Sequence, residues 1–484
     1  MPTRPLHRRR IGALAVAGTV VFGAVAVALG NQADAKQPAP PIDQLLGQEL
    51  PGRTALGRVQ SRLDEVAAQN KLTTDHLRQI LASDKTAWLD HAGRLFYREP
   101  VATTTERTAD AVASPRWAKT AVAAATGPAF ELHSKPGSNR VIYLDFTGHT
   151  ITGTAWNASK GVDPVNVSAY DTDGDPSSFS TAEQDVVHEV WARVAEDYAP
   201  FDVDVTTQEP DPAAIERSSA SDQQYGTRVL IDPDTWYQSG CGCGGVAYVG
   251  VYDNSSQHAY YQPALVFTKG VGTGAKNLAE AASHEAGHNV GLSHDGTSTV
   301  GYYQGHGAWA PIMGVGYYRG ISQWSKGEYA DANNKEDDFA VVGTHGLALR
   351  ADEAGDTTAD AAALTVGTPV SGIIAAEDDT DVYRVDVSAA GNYSATASPA
   401  AVGGNLDIKL DLLDGSGAVV ASNDPASGQS DAGTPTGLGA SVSGALQPGT
   451  YYLRIDNVGY GDPLNTGYST YGSRGAYTVG ISSS

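Results

Sequence analysis

The chain has 484 residues, a net charge of −23, 55 glycines, 12 histidines and only two cysteines and two methionines. That length exceeds one ordinary domain, so two or three are expected, with a sizeable core. The acidic balance argues against nucleic acid and anionic membranes as partners. No stretch after the first thirty residues is apolar enough to span a bilayer.

Residues 1–35 read as a secretory signal. Arg4, His7, Arg8, Arg9 and Arg10 make a basic start, residues 11–29 an apolar stretch, and Ala33-Asp34-Ala35 a small-x-small cleavage pattern. An uncleaved N-terminal anchor is the alternative, because the apolar stretch is long. Residues 36–135 have another texture and read as a pro-segment. A Pro-rich start precedes amphipathic helical patterns at 56–69 and 74–81 and a short hairpin at 88–97. The Thr/Ala-rich stretch 101–126 is an exposed, cleavable linker.

A strand is expected at 140–146. Asp171-Thr172-Asp173-Gly174-Asp175 resembles the start of a calcium loop. Position 12 of such a loop would be Ala182, with Glu183 one residue late, so a calcium site and a plain acidic turn both stay open. Ser180-Thr181-Ala182-Glu183 is a capping box opening a helix to about residue 198. Strands follow at 201–207, 227–232, 245–252 and 264–268, and then a helix from about residue 276. Cys241-Gly242-Cys243 precedes the fourth strand. An even cysteine count in an exported chain favours a disulfide, with free thiols or soft-metal binding as the other options.

The helix from residue 276 carries the chemistry. His284-Glu285-Ala286-Gly287-His288-Asn289-Val290-Gly291-Leu292-Ser293-His294-Asp295 reads HExxHxxGxxHD. Two imidazoles four residues apart lie on one helical face, roughly 6 Å apart, and bind one ion together. Glu285 points near that ion without ligating it, placed to take a proton from a metal-bound water. Gly291 ends the helix and turns the chain, bringing His294 back as a third ligand. Three nitrogens and one open position make a catalytic zinc site, which lowers the pKa of its water to about 7.

This motif resembles that of the metzincin zinc metallopeptidases, with the HD ending of adamalysin-like members, here His294 and Asp295. The resemblance implies a methionine turn beneath the metal. Met313, 19 residues past His294 in Ala310-Pro311-Ile312-Met313-Gly314, fits it. It also implies a twisted five-stranded sheet with two main helices, and an edge strand at 245–252 that holds substrate backbone by strand addition. Some members stay latent through a propeptide cysteine on zinc. Residues 36–135 contain no cysteine, which leaves Asp84 or Asp90 as metal-blocking candidates against the plainer reading of solvent-facing carboxylates. Where many members have a tyrosine two residues past the methionine, this chain has Val315; the nearest phenols are Tyr317 and Tyr318. His306 is an extra-ligand candidate set against the plainer reading of a loop histidine, and Glu328 or Glu336 would serve as third ligand only in a different peptidase clan.

A polar linker at 349–366 ends the catalytic region, 136–348. Residues 367–484 show short alternating strands between Gly/Asp/Asn turns, an antiparallel β-sandwich. Asp379-Thr380-Asp381-Val382-Tyr383, Leu406-Asp407-Ile408-Lys409-Leu410, Pro448-Gly449-Thr450-Tyr451-Tyr452-Leu453 and Gly475-Ala476-Tyr477 resemble the bacterial pre-peptidase C-terminal domain. Asp378, Asp379 and Asp381 are a second calcium candidate, set against an ordinary solvated turn.

The whole reads as an α+β metzincin-type zinc peptidase followed by an antiparallel β-sandwich. It is expected to be a secreted, monomeric zymogen acting on proteins or peptides. Zinc would sit on His284, His288 and His294, with Glu285 as general base and Gly291, Asp295 and Met313 in support. One rival is a catalytically silent adhesion protein that works through its sandwich, though nothing structural then requires Glu285. Another is a metal-dependent hydrolase of a different bond.

Overall fold

The computed structural model describes residues 46–100 and 129–483. The signal at 1–35 and the linker at 101–126 lie outside them.

The described N-terminal segment builds its own small core. Helices α1 (Gly52–Val59), α2 (Leu63–Gln69) and α3 (Thr74–Ser83) bury Ala55, Val59, Leu63, Val66, Leu77 and Leu81. The Thr73 hydroxyl caps α3, accepting from the His76 amide at 3.2 Å. The expected hairpin is present as β2 (Ala87–Leu89) and β3 (Leu95–Pro100), with β3 running three residues past the expected end, and a short strand β1 (Leu50–Pro51), which the sequence does not signal, pairs with β2. Asp90 is buried at the hairpin turn, where its Oδ1 accepts from the amides of Ala92 (2.9 Å) and Arg94 (2.8 Å).

The catalytic region supplies β4 (Arg140–Asp145), α4 (Thr181–Asp197), β5 (Asp204–Thr206), β6 (Tyr225–Asp232), β7 (Cys243–Tyr248), β8 (Ala264–Phe267) and α5 (Ala275–Asn289). The expected five-stranded sheet is corrected here: the sheet has eight strands, in the order β1-β2-β3-β7-β8-β6-β4-β5. Five come from the catalytic region and three from the N-terminal segment. The physical reason is that β7 is antiparallel to β8 on one side only. Its other row of backbone groups needs a partner, and β3 provides one. β8, β6, β4 and β5 pair in parallel. A parallel sheet covered on both faces has near-continuously buried strands, as β6 does.

One face of the sheet packs on the helices. The Ser180/Glu183 capping box opens α4, whose Val187, Val190 and Val194 meet Leu278, Ala282 and Ala286 of α5 in one core. The opposite face is covered by the hairpin His149–Ile151 and Val165–Val167, with Trp156 and Tyr237 beneath it.

The C-terminal part is a two-sheet sandwich. Five strands form one sheet and four the other, around Ile374, Val385, Leu406, Ile408, Leu453, Tyr477 and Val479. The small residues of the strand Ala440–Leu446 give it only a weak alternation in sequence, although its alternate positions are buried. The sandwich shares buried contacts with the catalytic region. Tyr471 belongs to the catalytic core, its ring 5.2 Å from that of Phe339 and its hydroxyl donating to Asp337 Oδ1 at 2.7 Å. The Glu196 carboxylate accepts from the amides of Asn405 and Ala476, both at 3.2 Å.

Two outcomes follow from this seam. Removing the Tyr471 ring opens a cavity in a core common to both parts, so Tyr471→Ala is expected to cost about 3 kcal/mol. Calorimetry should show one unfolding transition moving down, whereas a shift of the sandwich alone would contradict a common core. Burial pushes the Glu196 carboxyl up to about 8. The folded state then holds a proton that the unfolded state releases above about pH 4.5. Stability should therefore fall as pH rises from 4.5 to 8, by up to about 1.4 kcal/mol per pH unit. Urea unfolding across that range should give a shallower pH slope for Glu196→Gln than for wild type.

Candidate metal centre

The Ala-rich segment of α5 is buried along its whole length and carries His284 and His288 one turn apart, ring centroids 4.7 Å from each other. The helix closes at Asn289. Gly291 then adopts φ +100°, which a side chain disfavours, and a Cβ there would lie 2.4 Å from the His345 ring. The turn returns His294 so that its Nε2 is 3.0 Å from His288 Nε2.

Each imidazole is oriented from behind. His284 Nδ1 donates to the Ile312 carbonyl at 2.9 Å, and His288 Nδ1 to the Leu292 carbonyl at 2.8 Å. His294 Nδ1 donates to Asp84 Oδ2 at 2.6 Å. With Nδ1 committed, each Nε2 turns to a common point. The ligand atoms of His284, His288, His294 and Glu99 all lie within 4.8 Å of one another. His284 Nε2 is buried with no hydrogen-bond partner. Orphaned nitrogen, three nitrogen donors and a carboxylate fit a four-coordinate zinc-type cation.

Burial pushes His284 down to about 3 and lowers His288, so both rings are neutral, the form that ligates. Burial also acts to lower His294, but Glu99 and Asp84 outweigh it and raise the ring to about 10. A bound cation must displace that proton. Burial and the nearby Glu99 charge hold Glu285 well above the usual carboxylate range.

Glu285 sits under β7. A Cβ on Gly245 would lie 1.9 Å from Glu285 Oε1, so the strand approaches this closely only with glycine. Glu285 Oε2 has no hydrogen-bond partner. Met313 is fully buried, and its sulfur would be 2.6 Å from a Cβ on Gly287, between the two helical histidines. The same turn provides the carbonyl that holds His284. Asp295 does not face the centre. Its amide donates to the Met313 carbonyl at 2.8 Å and its carbonyl accepts from the Tyr303 amide at 2.8 Å, tying the third-ligand loop to the methionine turn.

Other expectations resolve by position. Tyr317 packs on the main core, whereas the Tyr302 ring lies tilted against His294 with centroids 4.3 Å apart and its hydroxyl donates to that of Thr86 at 2.8 Å. His306 is bonded to Tyr303 and the Gly467 carbonyl. Glu336 accepts from the Ser293 amide, and Glu328 from Ser469, so neither is a third ligand. Cys241 and Cys243 form a disulfide at the entry to β7. Neither Asp84 nor Asp90 lies among the three Nε2 atoms: half-buried Asp84 backs His294, buried Asp90 caps a turn, and it is the Glu99 carboxylate that faces those nitrogens. Asp171, Asp173 and Glu183 do converge, but the Glu183 carboxylate is already engaged by Thr172 and Ser180. Asp352 joins Asp379 and Asp381 in a similar group.

Comparison with known proteins agrees with this geometry. Residues 152–316 match the reprolysin-type domain described as metallo-peptidase family M12, and residues 379–457 match the bacterial pre-peptidase C-terminal domain. The chain is thus a metallopeptidase-class hydrolase with a family M12 domain and a domain typical of secreted bacterial proteases. The M12 family implies zinc, and a peptidase implies protein substrates. No curated protein matches the chain. Among solved structures, the pre-peptidase C-terminal domain of collagenase from Bacillus anthracis is similar at 19% identity and TM-score 0.19. That likeness covers 27% of this chain and 97% of that one. The periplasmic g-type lysozyme inhibitor PliG of Aeromonas hydrophila is similar at 14% identity and TM-score 0.14, covering 25% and 96%. No described helix is long and apolar enough to cross a membrane.

Gly245→Ala tests the packing of strand on carboxylate. The added methyl should push Glu285 aside and lower peptidase activity about 100-fold while metal content stays at the wild-type level. Unchanged activity would mean that the carboxylate's position under β7 does not matter.

Proposed function

We propose that the protein is an exported zinc endopeptidase made as a pre-pro-protein. In this reading residues 1–35 are the signal, 36–135 the pro-segment, 136–348 the catalytic domain, 349–366 a linker and 367–484 the C-terminal sandwich. His284, His288 and His294 hold the ion and Glu285 is the general base. The observation that carries the reading is the convergence of three Nε2 atoms, each with its Nδ1 satisfied, beside a buried glutamate whose Oε2 has no hydrogen-bond partner.

Zinc, when bound there, supplies Lewis acidity toward a peptide carbonyl and acidifies a water. The remaining work falls to the chain. With the N-terminal strands gone, β7 takes a peptide backbone by strand addition and lays it across the histidines. Glu285 accepts the proton of the attacking water and passes it to the departing amine. Its low-dielectric surroundings favour the protonated state that the second transfer needs. Gly245 leaves the carboxylate room, and Met313 and Gly287 fix the helix that carries it.

The decisive comparison uses the mature protein, with its N-terminal segment removed, on a denatured protein substrate. Wild type should cleave and a chelator should stop it. Glu285→Ala should keep its zinc and lose about 10³-fold in kcat/KM. A zinc-loaded, mature wild type that cuts nothing would sink the peptidase reading.

A further inference from the structure

The three strands added to the sheet come from before the metallopeptidase domain, and they lie where a substrate would have to lie. β3 pairs antiparallel with β7 through Phe96–Tyr248, Tyr97–Ala247 and Arg98–Val246. Since β8 takes the other side of β7, no hydrogen-bonding row of that strand is left for a peptide. Alternation sends successive side chains of β3 to opposite faces. Phe96 enters a recess against Trp156 and Tyr248, at centroid distances of 5.8 and 5.3 Å. Tyr97 turns to the other face, its ring 4.5 Å from His288 and 4.0 Å from His294.

Glu99 follows on the same face as Tyr97. Its Oε1 lies 3.1 Å from His294 Nε2 and 3.3 Å from His288 Nε2, and its Oε2 3.7 Å from His284 Nε2. The residue is buried. A carboxylate facing three converging imidazole nitrogens completes a four-ligand set. A second group of the same segment reaches round the back: Asp84 accepts from His294 Nδ1, and Thr86, bonded to Asp84, receives the Tyr302 hydroxyl.

We propose that residues 95–100 stand in the substrate's place, Glu99 as fourth metal ligand and β3 as the strand on β7, so that the N-terminal segment is the enzyme's own displaceable inhibitor. The proposal rests on the zinc-peptidase reading above. It explains latency in a pro-segment without cysteine. It also explains why the strand is not cut: a side-chain carboxylate, not a backbone carbonyl, faces the metal position. Only Pro100 separates Glu99 from the stretch 101–128 that joins the segment to the rest. Besides the strand pairing and the Phe96 contacts, the segment is held by apolar contacts with Val249 and by the Lys71–Asp253 ion pair. Cutting the join converts a tethered inhibitor into one that dissociates.

The test reads the metal itself. Full-length wild type and Glu99→Gln are loaded with cobalt(II), and their visible spectra and affinity for acetohydroxamate are measured. Wild type should show a spectrum without an exchangeable ligand and bind the hydroxamate only weakly. If the open form is about 1% of the population, the apparent Kd is raised about 100-fold. Glu99→Gln should shift the spectrum and bind more tightly. Wild type nicked within 101–128 and freed of the N-terminal fragment provides the same comparison without a substitution, and should match or exceed the variant. Equal spectra and equal hydroxamate affinity in intact and freed wild type would overturn the proposal. The two readings separate cleanly. Freed protein that binds hydroxamate but cleaves nothing leaves the ligation intact and defeats the peptidase. Freed protein that cleaves, with Glu99 spectroscopically absent from the intact metal site, defeats the ligation alone.

Discussion

Three imidazoles aiming at one point is a demanding arrangement, and the hydrogen bonds behind them set what the rest of the fold must do. A ring fixed only by its own χ angles swings; a ring whose Nδ1 donates to a fixed oxygen does not. The Ile312 carbonyl exists in the right place because the methionine turn passes under α5. The Leu292 carbonyl exists there because Gly291 reverses the chain at φ +100°. Both are backbone groups of the catalytic region, held by core packing around Met313, Trp324 and Ala286. The third oxygen, on Asp84, is a side chain from a different part of the chain.

That asymmetry divides the orienting groups between two parts of the chain. His284 and His288 keep their orienting partners whatever happens upstream. His294 is held by Gly291, by the Asp295 amide bonded to Met313, and by a partner that belongs to the N-terminal segment. The sandwich contributes at a greater distance. Through Asn405 and Tyr471 it braces the end of α4 and the segment carrying Trp324, whose indole donates to the Asp197 carbonyl at 2.7 Å. The catalytic core is thus closed from its C-terminal side by a domain that a linear reading treats as an appendage.

Much of the centre was legible because its information is local. The spacing of His284, His288, Gly291 and His294 encodes a helix and a turn, and Met313 stood out because the chain has so few methionines. The five catalytic strands were also legible, from alternation and β-branched content. Glu99 was not. Its strand ends in Arg98-Glu99-Pro100, a charged and unremarked tail to a hairpin, and its role appears only when that hairpin pairs with a strand almost 150 residues later. Long-range pairing leaves no local periodicity to read. Asp84 was noticed for its charge but given the wrong place, because a carboxylate near a metal and a carboxylate behind a ligand look alike in one dimension. The eight-stranded sheet escaped for the same reason as Glu99.

In the maturation proposed above, a sheet that sheds three strands acquires an edge. β7 then presents unpaired backbone groups beside the apolar recess that Phe96 filled, with Trp156 and Tyr248 at its wall. Bare edges next to apolar surface are the usual seeds of self-association. The feature that makes the matured form receptive to an extended peptide makes it equally receptive to unfolded copies of its own chain. In the proposed pro-protein the N-terminal segment keeps that edge covered for as long as it stays in place.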